Sequence, residues 1–316
     1  MAIPSSGAIS LAGIRAELAT NTYNASATTT ASLEDCSDGT VATINTGNAS
    51  GDRPNGSAPH AMSEFYAYDH DLSSFSDNIS FDFDGTNDRL EGSGSLAQAF
   101  IGGATTAGAG SISIWVKLDS MSQNGMIFAL NGETGTTNQV ILLWNNAFTR
   151  IRGNVKVAGT ANTVDSGAGL ENDGNWHHVA FTWQYGSKTS SDNECKIYID
   201  GSNTATNSIG SDKWNDGTGP ATAGFSRNGA NGGTTTNLWN GHINDCALFN
   251  DKLTAAEVTA IYNSGTPKDE SGHSGLLAYY KMEGYSAGDT TLADDSSNSY
   301  SLTITNSTSI GSTDTP

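Results

Sequence analysis

The sequence predicts a mainly β fold, an antiparallel sandwich with a small irregular N-terminal segment and one short helix near residues 254–264. Three observations lead there. Apolar and aromatic residues fall in short runs bounded by Gly, Asn and Asp, as in Gly174-Asn175-Trp176-His177-His178-Val179-Ala180-Phe181-Thr182-Trp183 and Lys196-Ile197-Tyr198-Ile199-Asp200-Gly201. Only 15% of the 316 residues are charged while glycine numbers 37, a balance that suits sheet surfaces and tight turns better than long exposed helices. The short runs follow one another without alternating helices, the pattern of a sandwich or barrel.

Composition shifts near residue 72, dividing the chain into segments 1–72 and 73–316. In the first, Ser10 can cap a helix with Leu11, Ile14, Arg15 and Leu18 on one side. A Thr/Ser/Gly-rich stretch follows from about residue 21 to 57, then a second apolar phrase, Ala61-Met62-Ser63-Glu64-Phe65-Tyr66. This segment has too little apolar content for a core of its own and is expected to fold by docking on a partner.

From Phe75 onward, strands are predicted at 79–85, 111–118, 126–130, 140–144, 154–157, 174–183, 196–201, 223–225, 241–249, 276–282 and 300–304, where apolar and polar residues alternate or apolar runs are short. The helix is marked by Thr254 as N-cap with Glu257 three residues on, a capping box, and by Leu253 placed to staple onto Val258. Ile261 and Tyr262 extend its apolar side, and Gly265 supplies the stop.

The net charge of −19, from 33 acidic and 14 basic residues, argues against binding nucleic acid or an anionic membrane, since no basic run exists to neutralise phosphates. Cys36, Cys195 and Cys246 form neither a CxxC pair nor a zinc spacing, and an odd count speaks against a disulfide framework. Cys195 and Cys246 read as small buried hydrophobes. The first residues carry neither a basic n-region nor a long apolar run, so no signal peptide or membrane span is expected.

Several constellations could carry chemistry. Asp84, Asn87 and Asp88 flank the Gly85 turn with hard oxygens that suit a structural Ca²⁺; the alternative is a turn whose side chains satisfy backbone amides. His177 and His178 are adjacent on a strand and point to opposite faces, which speaks for packing over a shared ligand. Gly284-Tyr285-Ser286-Ala287-Gly288 matches GxSxG, yet no histidine follows it and no helix pattern adjoins it, so a hydrolase is not expected. Glu171, Glu194, Glu257 and Glu283 are scattered, without the paired carboxylates that glycoside cleavage uses. Trp144, Trp214 and Trp239 sit in Gly/Asn-rich surroundings and are candidates to stack on sugar rings, the alternative being rim packing.

Two resemblances sharpen this reading. "GNWHHVAFTW…KIYIDG", "SISIWVKLD", "FDGTNDRL", "LLAYYKMEG" and the run Asn240–Val258 resemble the ordered motifs of the laminin-G/concanavalin-A-like jelly roll over roughly residues 78–305. The resemblance implies a jelly-roll β-sandwich, more often a binding or structural module than an enzyme. It also implies that the Asp84–Asp88 loop lies beside the acidic pair of the late strand, here Asn244-Asp245, where an amide replaces the first acid. The concanavalin-like glycosidases carry a Glu-x-Asp-x-x-Glu strand, which is not found here. "IPSSGAISLAGIRAEL" followed by "MSEFYAYDHD" resembles the N-terminal segment of tailed-bacteriophage virion proteins, which implies that Ile9, Leu11, Ile14, Leu18, Met62, Phe65 and Tyr66 serve attachment to the particle.

Together these imply a non-enzymatic, homo-oligomeric phage virion protein of tail-fibre or adhesin type. It would be made in the host cytoplasm and carried on the particle surface, with other virion proteins and host polysaccharide as partners. A capsid or tail decoration protein is the alternative, and a soluble carbohydrate-binding protein or glycosidase is a further one.

Overall fold

The computed structural model describes residues 3–23, 25–26, 30–45, 48, 51–70, 77–101, 108–119, 122–132, 139–167, 173–186, 193–210, 220–226, 237–286, 288–306 and 311–316. The chain divides into two units, Met1–Ser76 and Asp77–Pro316.

The second unit is an antiparallel β-sandwich of two eight-stranded sheets. In chain order its strands are β1 (Ser80–Asp84), β2 (Arg89–Gly92), β3 (Gly108–Leu118), β4 (Gly125–Gly132), β5 (Gln139–Asn145), β6 (Arg150–Val157), β7 (Thr160–Asp165), β8 (Trp176–Tyr185), β9 (Glu194–Ile199) and β10 (Ser202–Ser208), followed by β11 (Pro220–Phe225), β12 (Asn240–Phe249), β13 (Leu276–Tyr280), β14 (Thr291–Leu292), β15 (Leu302–Thr305) and β16 (Gly311–Ser312). One sheet runs β10-β9-β8-β3-β12-β1-β16, with β13 also paired to β12; the other runs β14-β15-β2-β11-β4-β5-β6-β7. The non-consecutive neighbours are the crossovers of a jelly roll.

Alternation decides which side chains meet between the sheets. On β8, Val179, Phe181 and Trp183 point inward, and on β1, Phe81 and Phe83 do the same. They join Phe128, Trp144, Trp239 and Ile243 in one core. Gly153 on β6 is where the sheets approach closely: a Cβ there would lie 2.2 Å from the Phe181 ring. The three cysteines are buried free thiols.

The strands missed by sequence reading are β2, β7, β10, β14 and β16. β10 reads Ser-Asn-Thr-Ala-Thr-Asn-Ser and is almost wholly exposed, so it offered no apolar alternation to detect. A second helix of the sandwich, α3 (Gly94–Ile101), was also missed; it places Leu96, Ala97 and Phe100 in the core. The expected helix is α4 (Ala255–Tyr262), and both capping-box bonds form: Glu257 N–H donates to Thr254 Oγ1 at 3.3 Å and Thr254 N–H to Glu257 Oε2 at 2.7 Å. Its stop comes earlier than Gly265. Asn263 takes the left-handed cap at φ 49°, a conformation that asparagine tolerates.

The first unit corrects an expectation. Ile3, Ile14, Leu18, Cys36, Phe65 and Tyr68 form a core of its own, with Ile9, Leu11, Tyr23 and Leu33 packed against it. Helices α1 (Leu11–Thr20) and α2 (Leu33–Ser37) and a 3-10 turn at Met62–Phe65 collect these few apolar residues. Ser10 caps α1 as expected, accepting from Gly13 N–H at 3.0 Å. Two side-chain bridges stand in for further apolar burial. Asn48 pairs with the Asp69 backbone in both directions at 2.8 Å, and Glu17, wholly buried, accepts from His70 N–H at 3.1 Å.

Ile14, Leu18 and Phe65, expected to attach the chain to a particle, are therefore buried in this core. Ile9, Leu11 and Tyr66 are half-buried, and the Tyr66 hydroxyl donates to Gly7 O at 2.6 Å. Met62 is exposed at 41%.

Candidate functional site

The Gly85 turn follows β1, and the structure uses its carboxylates internally. Asp84 Oδ1 accepts from Thr86 N–H at 2.7 Å and Asn87 N–H at 3.2 Å, an Asx turn. Asp88 Oδ2 accepts from Asp84 N–H at 3.1 Å. Burial, with Asp84 and Asp82 nearby, pushes the Asp88 carboxyl up to about 6.

Asn244 and Asp245 do not lie beside this loop. Antiparallel register sets Asp84 opposite Asn240, four residues from Asn244, or about 13 Å along the strand. The Asn244 amide donates to Asp77 Oδ1 instead. Asp245 sits at an irregularity of β12 with φ 44°, where the chain turns its side chain into the interior. There its Oδ1 meets the Tyr279 hydroxyl, whose oxygen also lies 3.0 Å from Lys268 O. Burial raises the Asp245 carboxyl well above the usual range. The five expected Ca²⁺ ligands are thus split between two places.

A different group of ligating atoms does converge. Asp82, Asp119 and His242 have ligand atoms all within 4.8 Å of one another, on the outward face of the first sheet. Sequence reading missed it because the three residues come from three strands or strand ends far apart in the chain.

The tryptophan candidates are corrected too. Trp144 is 3% exposed and Trp239 fully buried. They pack from the two inner faces, with Val116, Leu118, Ile151, Asn175 and His177, around a gap of about 20 Å³, room for roughly one water. An indole in the core has no face to offer a sugar. Trp214 lies outside the described residues.

Among the described residues the exposed aromatic is Phe148, 56% exposed, in the turn joining β5 to β6. The Arg152 guanidinium lies 5.3 Å from its ring centroid and pairs with Asp165 through two bonds of 2.6 and 2.8 Å. The outward face of β5–β7 continues with half-buried Ile141 and Leu143, then Asn154, Lys156 and Thr163. Phe148 stands among polar turn residues without periodicity, so only its exposure distinguishes it.

The two histidines of β8 separate as alternation requires. His177 bridges Asp200 Oδ2 at 2.9 Å and Asp173 Oδ2 at 3.3 Å, and hydrogen bonding to Asp200 raises its pKa. His178 is fully buried under Trp115 and Tyr262, and burial lowers it to about 4.

Ser286 lies in a turn where its N–H donates to Asp289 Oδ2 at 2.8 Å; Ala287 of the GxSxG match is outside the described residues. Glu194 pairs with Lys196 and Lys252 at 2.7 and 3.2 Å, Glu257 caps α4, and Glu283 accepts from Asn78 N–H and Ile79 N–H. Glu171 lies outside the described residues.

Among curated proteins, none matches the sequence. Three solved structures are similar to this chain. A Bacteroides ovatus ATCC 8483 protein provisionally assigned to carbohydrate binding aligns at TM-score 0.52 and 15% identity over 77% of this chain and 63% of that one. The heptameric SAP-like pentraxin of Limulus polyphemus aligns at TM-score 0.45 and 14% identity, over 61% of this chain and 87% of its own. The CBM40 of the Ruminococcus gnavus IT-sialidase gives 0.45 and 17%, over 58% and 96%. The family profile of the concanavalin A-like lectin/glucanases matches residues 91–259, more than half of the chain. With that match and the two-sheet jelly roll that contains it, the chain belongs to the concanavalin A-like lectin/glucanases superfamily.

Proposed function

We propose that the protein is a non-enzymatic structural component of a tailed-phage virion, displayed at the particle surface, whose sandwich recognises host-surface glycans. The observation that carries glycan recognition is the outward face of β5–β7. There Phe148 is exposed beside Arg152, next to half-buried Ile141 and Leu143 and the amide of Asn154. An aromatic ring offers the apolar faces of a sugar a stacking surface, and amide and guanidinium groups offer its hydroxyls partners. The Bacteroides ovatus protein that shares the fold is itself assigned, provisionally, to carbohydrate binding.

The non-enzymatic reading is supported by the glutamates. Glu194, Glu257 and Glu283 are each held in an ion pair, a helix cap or a backbone contact, so they do not form the carboxylate pair that glycoside cleavage needs. The virion assignment is supported by the IPSSG and SEFY phrases of the first unit, with residues 1–72 as the attachment segment. Its contact surface would be drawn from Met62, Ile9, Leu11 and Tyr66, which the unit's own core leaves accessible.

The test is binding of the full chain to host-surface polysaccharides on an array, with Phe148→Ala in parallel and reducing ends assayed after incubation. Binding that the variant loses, without release of sugar, supports the reading. Turnover would overturn the non-enzymatic part, and no binding by the wild-type chain the recognition part. Immunogold labelling of intact particles tests the virion assignment, and unlabelled particles reject it.

A further inference from the structure

Four outward side chains line up across the first sheet. Asp82 of β1 stands opposite His242 of β12, His242 opposite Lys117 of β3, and Lys117 opposite Trp176 of β8. The C-terminal residues cross this row, with Ser312 opposite Ser80. Asp314 places its carboxylate between Lys117 Nζ at 2.5 Å and Trp176 Nε1 at 2.9 Å.

The proton positions around His242 follow from its neighbours. The Ser80 hydroxyl donates to the Asp314 carbonyl at 2.6 Å, and a carbonyl can only accept. Ser80 has one hydroxyl proton, so towards His242 Nδ1, 3.3 Å away, its oxygen must accept. His242 Nδ1 therefore carries the hydrogen, and in the neutral ring Nε2 carries the lone pair.

His242 is 8% exposed, yet Nε2 has no hydrogen-bond partner among the described residues. Asp119 Oδ1 lies 3.7 Å from it, beyond hydrogen-bonding distance. Among the described residues the carboxylates of Asp82 and Asp119 accept no hydrogen bond either. A ring nitrogen of His242 and one oxygen from each of Asp82 and Asp119 lie within 4.8 Å of one another, with Nε2 3.7 Å from Asp119 Oδ1, and Lys117, opposite His242 in register, is engaged with Asp314.

We propose that Asp82, Asp119 and His242 bind a divalent transition-metal ion, of which Zn²⁺ fits the donor set best. Atoms that ligate one ion at about 2.0–2.2 Å sit roughly 3–4 Å from each other, which is the spacing of His242 Nε2 and Asp119 Oδ1. A ligating histidine characteristically donates its other ring N–H to an oxygen, and this fixes the ring; here the Ser80 hydroxyl oxygen accepts it. Imidazole with two carboxylates favours Zn²⁺ over Mg²⁺ or Ca²⁺, which prefer all-oxygen shells. Asp119 is exposed, leaving an entry path and a coordination position for water. The ion would tie the end of β3 to β1 and β12 beneath the C-terminal residues.

Titration of the full chain with ZnCl₂, followed by calorimetry and Trp176 fluorescence, tests this; the indole ring is 5.9 Å from the imidazole. One tight equivalent is expected, unaffected by excess Mg²⁺ or Ca²⁺. Asp119→Asn, at an exposed position that folding tolerates, is expected to weaken it at least about ten-fold, as is His242→Gln. Ser80→Ala, which frees the ring, should weaken it by about ten-fold while keeping the stoichiometry. No tight equivalent in the wild-type chain overturns the proposal. So does an Asp119→Asn chain that binds Zn²⁺ as tightly as wild type, even if His242→Gln fails to fold.

Discussion

His178 Nε2 lies 2.8 Å from Ser113 Oγ, and the pair is sealed in the outer face of the first sheet by Trp115 and Tyr262. Burial disfavours the imidazolium and lowers His178 to about 4, with Asp200 opposing weakly. The unfolded ring titrates near 6.5. Between those values the unfolded chain holds the extra proton, so this group's contribution is full above pH 6.5 and is lost as pH falls towards 4. His178→Gln should flatten the fall in urea-unfolding stability between pH 6.5 and 4, by up to about 3 kcal/mol. Ser113→Ala, which removes the partner of a buried ring, should cost about 1–3 kcal/mol at pH 7.

Asp88 has the opposite sign. Its carboxyl, raised to about 6 by burial, contributes stability that is full below pH 3.8 and lost as pH rises through 6. Asp88→Asn keeps an oxygen to accept from Asp84 N–H and removes the buried charge. In chelator it should raise stability at pH 7 by about 1–2 kcal/mol, and have little effect at pH 4. If Ca²⁺ occupies this loop, added Ca²⁺ will raise the melting temperature of wild type and not of Asp88→Asn. An equal rise in both variants would assign the ion elsewhere.

Trp239 and Phe148 separate core from surface. Trp239→Ala should cost about 3–5 kcal/mol, read from the denaturant midpoint, because a fully buried indole leaves a cavity. Phe148→Ala should change stability by less than about 0.5 kcal/mol, yet weaken glycan binding about ten-fold on the array. Loss of binding through Trp239 at unchanged stability would contradict the placement of both rings.

Gly153→Ala tests the closest approach of the sheets. The new methyl would meet the Phe181 ring at 2.2 Å, and that ring is fully buried and cannot swing away. A loss of about 1–3 kcal/mol is expected. Gly159→Ala, at a site with no neighbour within 4 Å but φ 85°, separates backbone strain from overpacking; its cost should be about 1 kcal/mol.

Local signals carried the fold. Alternation on β1, β3, β6 and β8, the turn residues between them and the capping box at Thr254–Glu257 each depend on neighbours in the chain, so they were legible. β10 and α3 were not, the first because it is polar throughout and the second because Leu96, Ala97 and Phe100 make too short a period to read. The first unit went unread for a related reason: Ile3, Cys36 and Tyr68 are too far apart in the chain to look like a core.

The sequence by itself determined the sandwich and the positions of many of its strands, because side-chain period and turn chemistry act over a few residues. Only the tertiary structure decided which polar groups meet. Register put Asp84 opposite Asn240 and away from Asn244, turned Trp144 and Trp239 inward, and brought Asp82, Asp119 and His242 together. A shift of one residue in β12 would send Asn240, His242 and Asn244 to the other face, and that choice is made by the whole buried core, not by the residues of the site.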